Sequence, residues 1–341
     1  MPDFFLDRIL TLKWNNATYS NKIDKIVRTK GGSMDKVSQV DQRGGNAVNT
    51  ASALATLGVK VTPIICTNTF GAQLINYYLD PQKSDLSHVK IFENASMTTA
   101  LEFLGKENER INVMLRDTGS LDNFGPQHLS QEDFRVIEEA DYVCVFNWAG
   151  TRRFGTRLAE TVFRRVKENG KGKTYFDTAD PRPNALAIAE LVDRVLKQDF
   201  LDILSVNENE AVTYASHIGT LNGRPKRGLR FDDLAKHGAT ILARQLSARI
   251  DLHTSRFSAS FKEDECMSVP SFQVPMLRAT GSGDAWNAGN ILGDAFQLSD
   301  ECRLTLASLI AAYYISGPSG KHPSKEQLLA FCAKLKKIRK S

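Results

Sequence analysis

What this chain lacks narrows it first. Its 341 residues contain only five cysteines, Cys66, Cys144, Cys266, Cys302 and Cys332. The count is odd, the spacings are wide and no C-x-x-C occurs. A disulfide framework is not expected, and a reducing cytosol is the expected compartment. The six histidines show neither HxxxH nor HExxH spacing, so no zinc signature is present. The longest nearly apolar stretch, 306–315, is about half of what a membrane span needs. The opening Met-Pro-Asp-Phe has no basic region of the secretory type. Neither sign of charge dominates: 44 basic residues against 39 acidic ones leave +5, too little to argue for nucleic acid but compatible with an anionic small molecule. There is no G-x-x-x-x-G-K-[ST] loop and no G-x-G-x-x-G after the first strand, which removes the Walker A loop and argues against a dinucleotide-dependent oxidoreductase.

What is present describes an ordinary globular chain, 42% hydrophobic and 24% charged. The length fits two domains, or one large α/β unit with an appendage. Short β-branched runs at 61–66, 142–146, 173–177 and 201–206 alternate with amphipathic stretches near 72–78, 154–168, 185–196 and 208–217. That alternation implies a mostly parallel sheet covered by helices on both faces. The last quarter reads as three helices, near 283–297, 300–316 and 324–337. Two segments break the pattern. Residues 10–43 read as extended and turn-rich, and 97–116 as two short strands around a polar turn at 106–109. Neither shows a helical period, so both are expected to build one small β-structure beside the main sheet. The basic stretch 223–230 reads as a solvated loop.

Three motifs carry chemistry. At 279–286 the run Ala-Thr-Gly-Ser-Gly-Asp-Ala-Trp leads small residues directly into a helix. Backbone N–H groups of Gly281, Ser282 and Gly283, with the helix dipole behind them, suit a developing phosphate charge. Asp284, in the first turn, is placed to accept a proton from an attacking hydroxyl; the alternative is a plain Asp cap. At 44–49, Gly44-Gly45-Asn46-Ala47-Val48-Asn49 opens a second helix. Gly45 permits close approach of a ligand and Asn49 offers donor and acceptor together, although Asn capping alone explains the same residues. At 207–210, Asn207-Glu208-Asn209-Glu210 follows an apolar strand at the end where open α/β sheets bind ligands. Asn207 and Glu210 share a helix face and suit a hydrated Mg²⁺, or else an N-cap with an acidic first turn.

The three motifs in this order and at these separations resemble the ribokinase-like carbohydrate kinases, the pfkB family, over nearly the whole chain. The resemblance implies a three-layer α/β/α sandwich with a mostly parallel central sheet and a small β-lid. Residues 1–9, 44–96 and 117–341 would form the main domain, and 10–43 with 97–116 the lid. It implies an ATP-dependent, Mg²⁺-using cytoplasmic kinase that phosphorylates a hydroxyl of a sugar or sugar derivative. Asp284 becomes the general base, Gly281, Ser282 and Gly283 the anion hole, and Asn207 and Glu210 the magnesium and phosphate shell, with Thr280 beside the nucleotide. Asp7, Gly44, Gly45 and Asn49 become acceptor contacts. Arg110, on the lid, and Arg152 with Arg153, at a strand end, would suit a phosphorylated or carboxylated sugar. An exposed edge or face of the lid is the expected homodimer contact. Many relatives hold K⁺ with a carboxylate just before the anion hole; Arg278 stands there instead, so K⁺ is not expected. The run before Pro2 is shorter than the resemblance implies, so either the natural start lies upstream or the first strand is unusually short. A nucleoside kinase, with Phe5 and Trp148 stacking a base, a phosphosugar kinase, and a non-catalytic sensor with this fold remain alternatives.

Overall fold

The computed structural model describes residues 1–80, 82–104, 110–219, 230–278, 280–317 and 319–338. In chain order it begins with β1 (Phe5–Thr11), α1 (Asn16–Arg28), β2 (Ser38–Gly44), α2 (Asn46–Thr56), β3 (Cys66–Thr67), α3 (Thr69–Tyr78), β4 (Lys90–Ile91), β5 (Ser96–Leu104) and β6 (Arg110–Asp117). The middle of the chain supplies α4 (Gln131–Glu139), β7 (Tyr142–Phe146), α5 (Gly155–Asn169), β8 (Lys173–Asp177), α6 (Ile188–Leu191), β9 (Ile203–Val206), α7 (Glu208–Ile218) and α8 (Phe231–Gln245). It closes with β10 (Arg249–His253), β11 (Phe257–Lys262), β12 (Glu265–Pro270), α9 (Ser282–Ala295), α10 (Asp300–Ser316) and α11 (Lys325–Ile338).

The main sheet has six strands in the order β12–β11–β10–β9–β8–β7. The four from β7 to β10 are parallel, while β11 and β12 run antiparallel. The central strands are buried on both sides, as their uninterrupted apolar runs require: every residue of β9 is buried. One face packs on α5, α7 and α8 through Val145, Phe176, Leu204, Ile250, Leu158 and Leu242. The other packs on α2 and α9 through Phe146, Tyr175, Ile203, Ala53, Ala288 and Ile291. Residues at the chain start enter this body as well. Met1 donates to the Cys144 carbonyl at 2.9 Å and accepts from Phe146 at 2.8 Å, and Cys66 donates to the Pro2 carbonyl. The expected strand at 61–66 survives only as β3 and a single bridge from Val61 to Ser84, because Pro63 has no N–H to give a ladder.

A second sheet, β2–β1–β5–β6, stands apart. Its register places Asp7 opposite both Gln42 and Thr98, and Thr98 opposite Arg116, so these four side chains share one face. One expectation is corrected here. Residues 10–43 are not wholly extended, since 16–28 form α1, capped by the Asn15 side chain on the Thr18 N–H at 2.9 Å. Tyr19, Ile23, Ile26 and Val27 recur at helical spacing, a period the reading of this segment as extended passed over, and none of them is buried. The turn at 106–109 and most of the basic loop at 223–230 lie outside the described residues.

Candidate active site

The site lies at the carboxyl ends of the parallel strands, where α2, α7 and α9 all begin. α9 starts from Gly281, whose φ of +86° is a left-handed conformation open to glycine at little cost. A Cβ on Gly281 would come within 2.6 Å of the Tyr314 hydroxyl, and one on Gly283 within 3.2 Å of the His253 ring. Small residues are therefore required by space as well as by backbone. The first N–H groups of α9 have no intrahelical acceptor and face this opening. Asp284, 6% exposed, sits in that first turn and accepts from Asn49 Nδ2 at 2.9 Å. Burial, and then the neighbouring carboxylates Asp177, Asp3 and Asp7, push its proton affinity well above the ordinary carboxylate range; the Asn49 bond opposes this.

The second glycine motif is equally tight. Gly45 has φ of +93°, and a Cβ there would meet the Asp3 carbonyl and Phe4 Cα at 2.9 Å. A Cβ on Gly44 would overlap the Asp7 carboxylate. Asp7, Gly44, Gly45, Asn49 and Asp284 are thus brought together. Asp7 Oδ1 and Asn49 Oδ1 are both buried without a partner among the described residues. Burial raises the Asp7 carboxyl to about 6.

Asn207 and Glu210 also meet, but they close on each other. Asn207 Oδ1 accepts from the Glu210 N–H at 3.1 Å, and the Glu210 carboxylate accepts from Asn207 N–H at 2.9 Å and Nδ2 at 2.7 Å. This is a capping box on α7. Glu210 is 2% exposed, and burial followed by Asp177 raises its proton affinity well above normal. Thr280 is exposed beside α9 and Ser282 is half-buried. The side chain of Arg110 lies outside the described residues. Arg153 is exposed and pairs with Asp122 at 3.6 Å, and Arg152 is exposed too. Trp148 is 1% exposed with its N–H on Thr156 at 3.0 Å, and Phe5 is buried in the core, so neither offers a face for a base.

Sequence reasoning missed five residues. Asp3 accepts from the Asn46 and Ala47 N–H groups at 2.8 Å and from Asn147 at 2.9 Å, fixing the start of α2. Asp177, the last residue of β8, accepts from Asn287 at 2.6 Å and from Ala179 N–H at 3.0 Å. Asn147 and Ala179, just past β7 and β8, hold φ of 52° and 56°, unusual for residues other than glycine. His253 ends β10, lies 5.0 Å from the Trp286 ring and keeps Nε2 buried without a partner. Asp177, Asn147, Ala179 and His253 share one signal, position at or just past a strand's carboxyl end, whereas Asp3 lies before β1 and carries none. A separate cavity of about 450 Å³ lies at the far end of α9, lined by Met1, Leu54, Val61, Tyr142 and Leu292.

These glycine-led helix starts around one buried carboxylate coincide with a family match. The family model described as pfkB family carbohydrate kinase matches residues 15–327, most of the chain. The chain belongs to this family of carbohydrate kinases. Members are phosphotransferases that use ATP, typically with Mg²⁺. Among solved structures, a probable sugar kinase from Rhizobium etli CFN 42 superposes with a TM-score of 0.74 at 16% identity, covering 97% of this chain and 96% of that one. Adenosine kinase from Sinorhizobium meliloti gives 0.72 at 16% identity, covering 98% of each chain. Ribokinase from Cryptococcus neoformans var. grubii serotype A, in complex with ADP, gives 0.72 at 15% identity, covering 97% of each. No curated protein sequence matches the chain. At these identities the likeness shows a ribokinase-like fold. Among the described residues no helix is long and apolar enough to cross a membrane.

Proposed function

We propose that this pfkB-family chain transfers the γ-phosphoryl group of ATP to a hydroxyl of a sugar or sugar derivative, with Asp284 as general base. The observation that carries the reading is Asp284 in the first turn of α9, oriented by Asn49 Nδ2 at 2.9 Å, directly behind left-handed Gly281. In that reading the Asp284 carboxylate takes the proton of the acceptor hydroxyl as its oxygen attacks. The N–H groups of Gly281, Ser282 and Gly283 face the charge that develops on the transferred group. Positioning and charge stabilisation carry most of the catalysis in such a transfer. Asp7 and Asn49 present unpaired acceptors to the substrate's other hydroxyls, beside Gly44 and Gly45.

A magnesium ion fits the residues on the nucleotide side. Asp177, Asp180 and Glu208 each raise the proton affinity of Glu210, a concentration of negative charge that a cation relieves. Among the described residues no three such side chains form a cage, which suits an ion that keeps water and leans on nucleotide phosphates. Glu210 and Asn207 would act in its outer shell, and the bound ion would neutralise phosphate charge during transfer. The β2–β1–β5–β6 sheet is the proposed lid, supported by Gln42 of β2 accepting from Arg278 at 2.6 Å. Ile111, Val113 and Leu115 form an exposed apolar row on β6 that supports the expected homodimer contact; sedimentation of Val113→Glu against wild type tests it.

The buried placement of Phe5 and Trp148 favours a sugar-like acceptor over a nucleoside. The deciding experiment is an ATP-consumption screen of the purified chain against sugars, sugar phosphates, nucleosides and inositols, with Asp284→Asn as control. Acceptor-dependent consumption abolished by Asp284→Asn is expected. Consumption with no acceptor in the panel would refute the kinase reading, and preference for a nucleoside would refute the sugar class.

A further inference from the structure

Three buried nitrogen atoms close to Asp284 have no partner among the described residues: Arg43 Nε, Arg278 Nε and His322 Nε2. They belong to one cluster. Arg43 Nη2 donates to His322 Nδ1 at 2.8 Å and to the Gly320 carbonyl at 3.2 Å. Since Nδ1 accepts there, the ring proton is assigned to Nε2, and the unpaired atom is a donor. His322 stacks on Tyr314 at 4.8 Å, and the Arg278 guanidinium lies 4.8 Å from the same ring. Gly320 touches Arg278 so closely that a Cβ would overlap the guanidinium. Tyr314 in turn faces Gly281, at the start of the anion hole. The cluster is therefore built into the acceptor side of the site, between β2, the loop before α9 and the loop before α11.

Its charge is unbalanced. Elsewhere the buried Arg303 and the half-buried Arg249 each pair with Asp251 at 2.9 Å. Arg43 and Arg278 instead spend their bonds on neutral groups: a backbone carbonyl, an imidazole and the Gln42 amide. Burial weakens the hold of Arg43 on its proton and the field of Arg278 adds to this, while Tyr314, Tyr78 and Asp284 oppose it. Both guanidinium groups are half-buried, and donors buried without a partner are costly to leave so. Beside them are two unpaired acceptors, Asp7 Oδ1 and Asn49 Oδ1; Asp7 pairs in register with Gln42, which accepts from Arg278.

We infer that the acceptor substrate carries an anionic group, a carboxylate or a phosphate, bound by Arg43, Arg278 and His322 while its hydroxyls face Asp7 and Asn49. This rests on the kinase reading above. The planar guanidinium fork matches either anion. A neutral analogue leaves three buried donors unpaired, which is the kind of mismatch that gives strong discrimination.

The test uses the purified full chain and matched trios of hexose, hexonate and hexose 6-phosphate, for instance D-glucose, D-gluconate and D-glucose 6-phosphate, together with the pentose and ketose counterparts. An anionic member of a trio should exceed its neutral parent at least tenfold in kcat/KM, and which member wins separates carboxylate from phosphate. Arg43→Gln and Arg278→Gln should each raise KM for that acceptor about tenfold or more while leaving KM for ATP within threefold. Arg43→Lys, which keeps charge without the fork, should recover only part of the loss. A neutral sugar or nucleoside as best acceptor, or variants that raise KM for ATP instead, overturns the anionic class and leaves the kinase reading standing. If no acceptor is consumed, the kinase reading fails and the melting temperature decides the pocket: millimolar inorganic phosphate or gluconate should stabilise wild type and not the Arg43→Gln/Arg278→Gln double variant. Equal shifts in both overturn the inference.

Discussion

Asn49 Nδ2 donates to Asp284 Oδ2 at 2.9 Å, joining the first turn of α2 to the first turn of α9 across 235 residues of sequence. Each residue alone reads as an ordinary helix start. Joined, they set the orientation and the proton affinity of the proposed base. Burial and three nearby carboxylates raise that affinity, and Asn49 is the group that lowers it. A base must be deprotonated to act, so the acid limb of the rate profile should follow Asp284 and lie above the ~4 of an unperturbed aspartate.

Asp284→Asn should lower kcat by about 10²–10⁴ with ATP affinity changed by no more than a few fold. Asn49→Leu removes the bond that favours the charged form. Its acid limb should move to higher pH than wild type, and its rate at pH 6 should fall more than its rate at pH 8.5. Identical limbs for wild type and Asn49→Leu would show that another group titrates there.

Glu210→Gln should raise the Mg²⁺ concentration needed for half-maximal rate, because it removes one charge from the acidic group around Asp177. The same substitution weakens the capping box, since one of two accepting oxygens becomes an amide. A loss of about 1 kcal/mol in stability is expected alongside. Superimposable Mg²⁺ titrations with reduced stability would reduce Glu210 to a cap alone.

Two of the four expected strands were legible to the residue, β7 at 142–146 and β8 at 173–177, while the run at 201–206 gives β9 only from Ile203 and the run at 61–66 leaves little beyond β3. The three closing helices and the two glycine-led helix starts were legible too, because small residues and apolar spacing act locally. α1 was passed over although Tyr19, Ile23, Ile26 and Val27 keep a helical period, and that stripe buries nothing. The buried chain Asp177–Asn287–Tyr175–Asn290–Asp251 could not be read. Its members come from three different elements, and no spacing within any one of them announces the pairing. The Arg43–His322 contact spans 279 residues and is equally silent in sequence.

That chain has a consequence for stability. Arg303, 1% exposed, bonds Asp251 at 2.9 Å, Ser260 at 2.9 Å and Asn290, anchoring α10 and α9 to the sheet. Arg303→Ala should cost about 3–5 kcal/mol, because it strips a partner from a buried carboxylate and opens space beside Gly293. Urea unfolding measures it. A cost under 1 kcal/mol would mean that Arg249 alone satisfies Asp251.

Activity should not require K⁺. Arg278 is tied to Gln42 at 2.6 Å and pressed against Gly320, so its charge is fixed beside the loop before α11. A guanidinium cannot ligate a cation and would repel one at ~5 Å by about 3 kcal/mol at an effective dielectric near 20. Rates in sodium, potassium and choline buffers of equal ionic strength should agree within about twofold, well under one tenfold step. Tenfold activation by K⁺ would show that other groups assemble an ion site despite Arg278.

Asp7 links acceptor binding to stability through pH. Burial lifts its carboxyl to about 6, against ~3.9 in an unfolded chain. The folded protein therefore holds the Asp7 proton more tightly than the unfolded one. The resulting stability is complete below pH ~4 and is lost as pH rises through 6, where the native state must bury the charged form. Asp7→Asn removes this titration with little change of shape. The variant should melt close to wild type at pH 4.5 and above it at pH 7.5, by about 1–3 kcal/mol after allowance for partial exposure. It should also bind the acceptor more weakly, since Oδ1 is an unpaired acceptor facing that space. Differential scanning calorimetry at the two pH values reads the first effect and acceptor KM the second. A stability difference that is the same at both pH values would place the proton elsewhere, and an unchanged KM would remove Asp7 from the acceptor site.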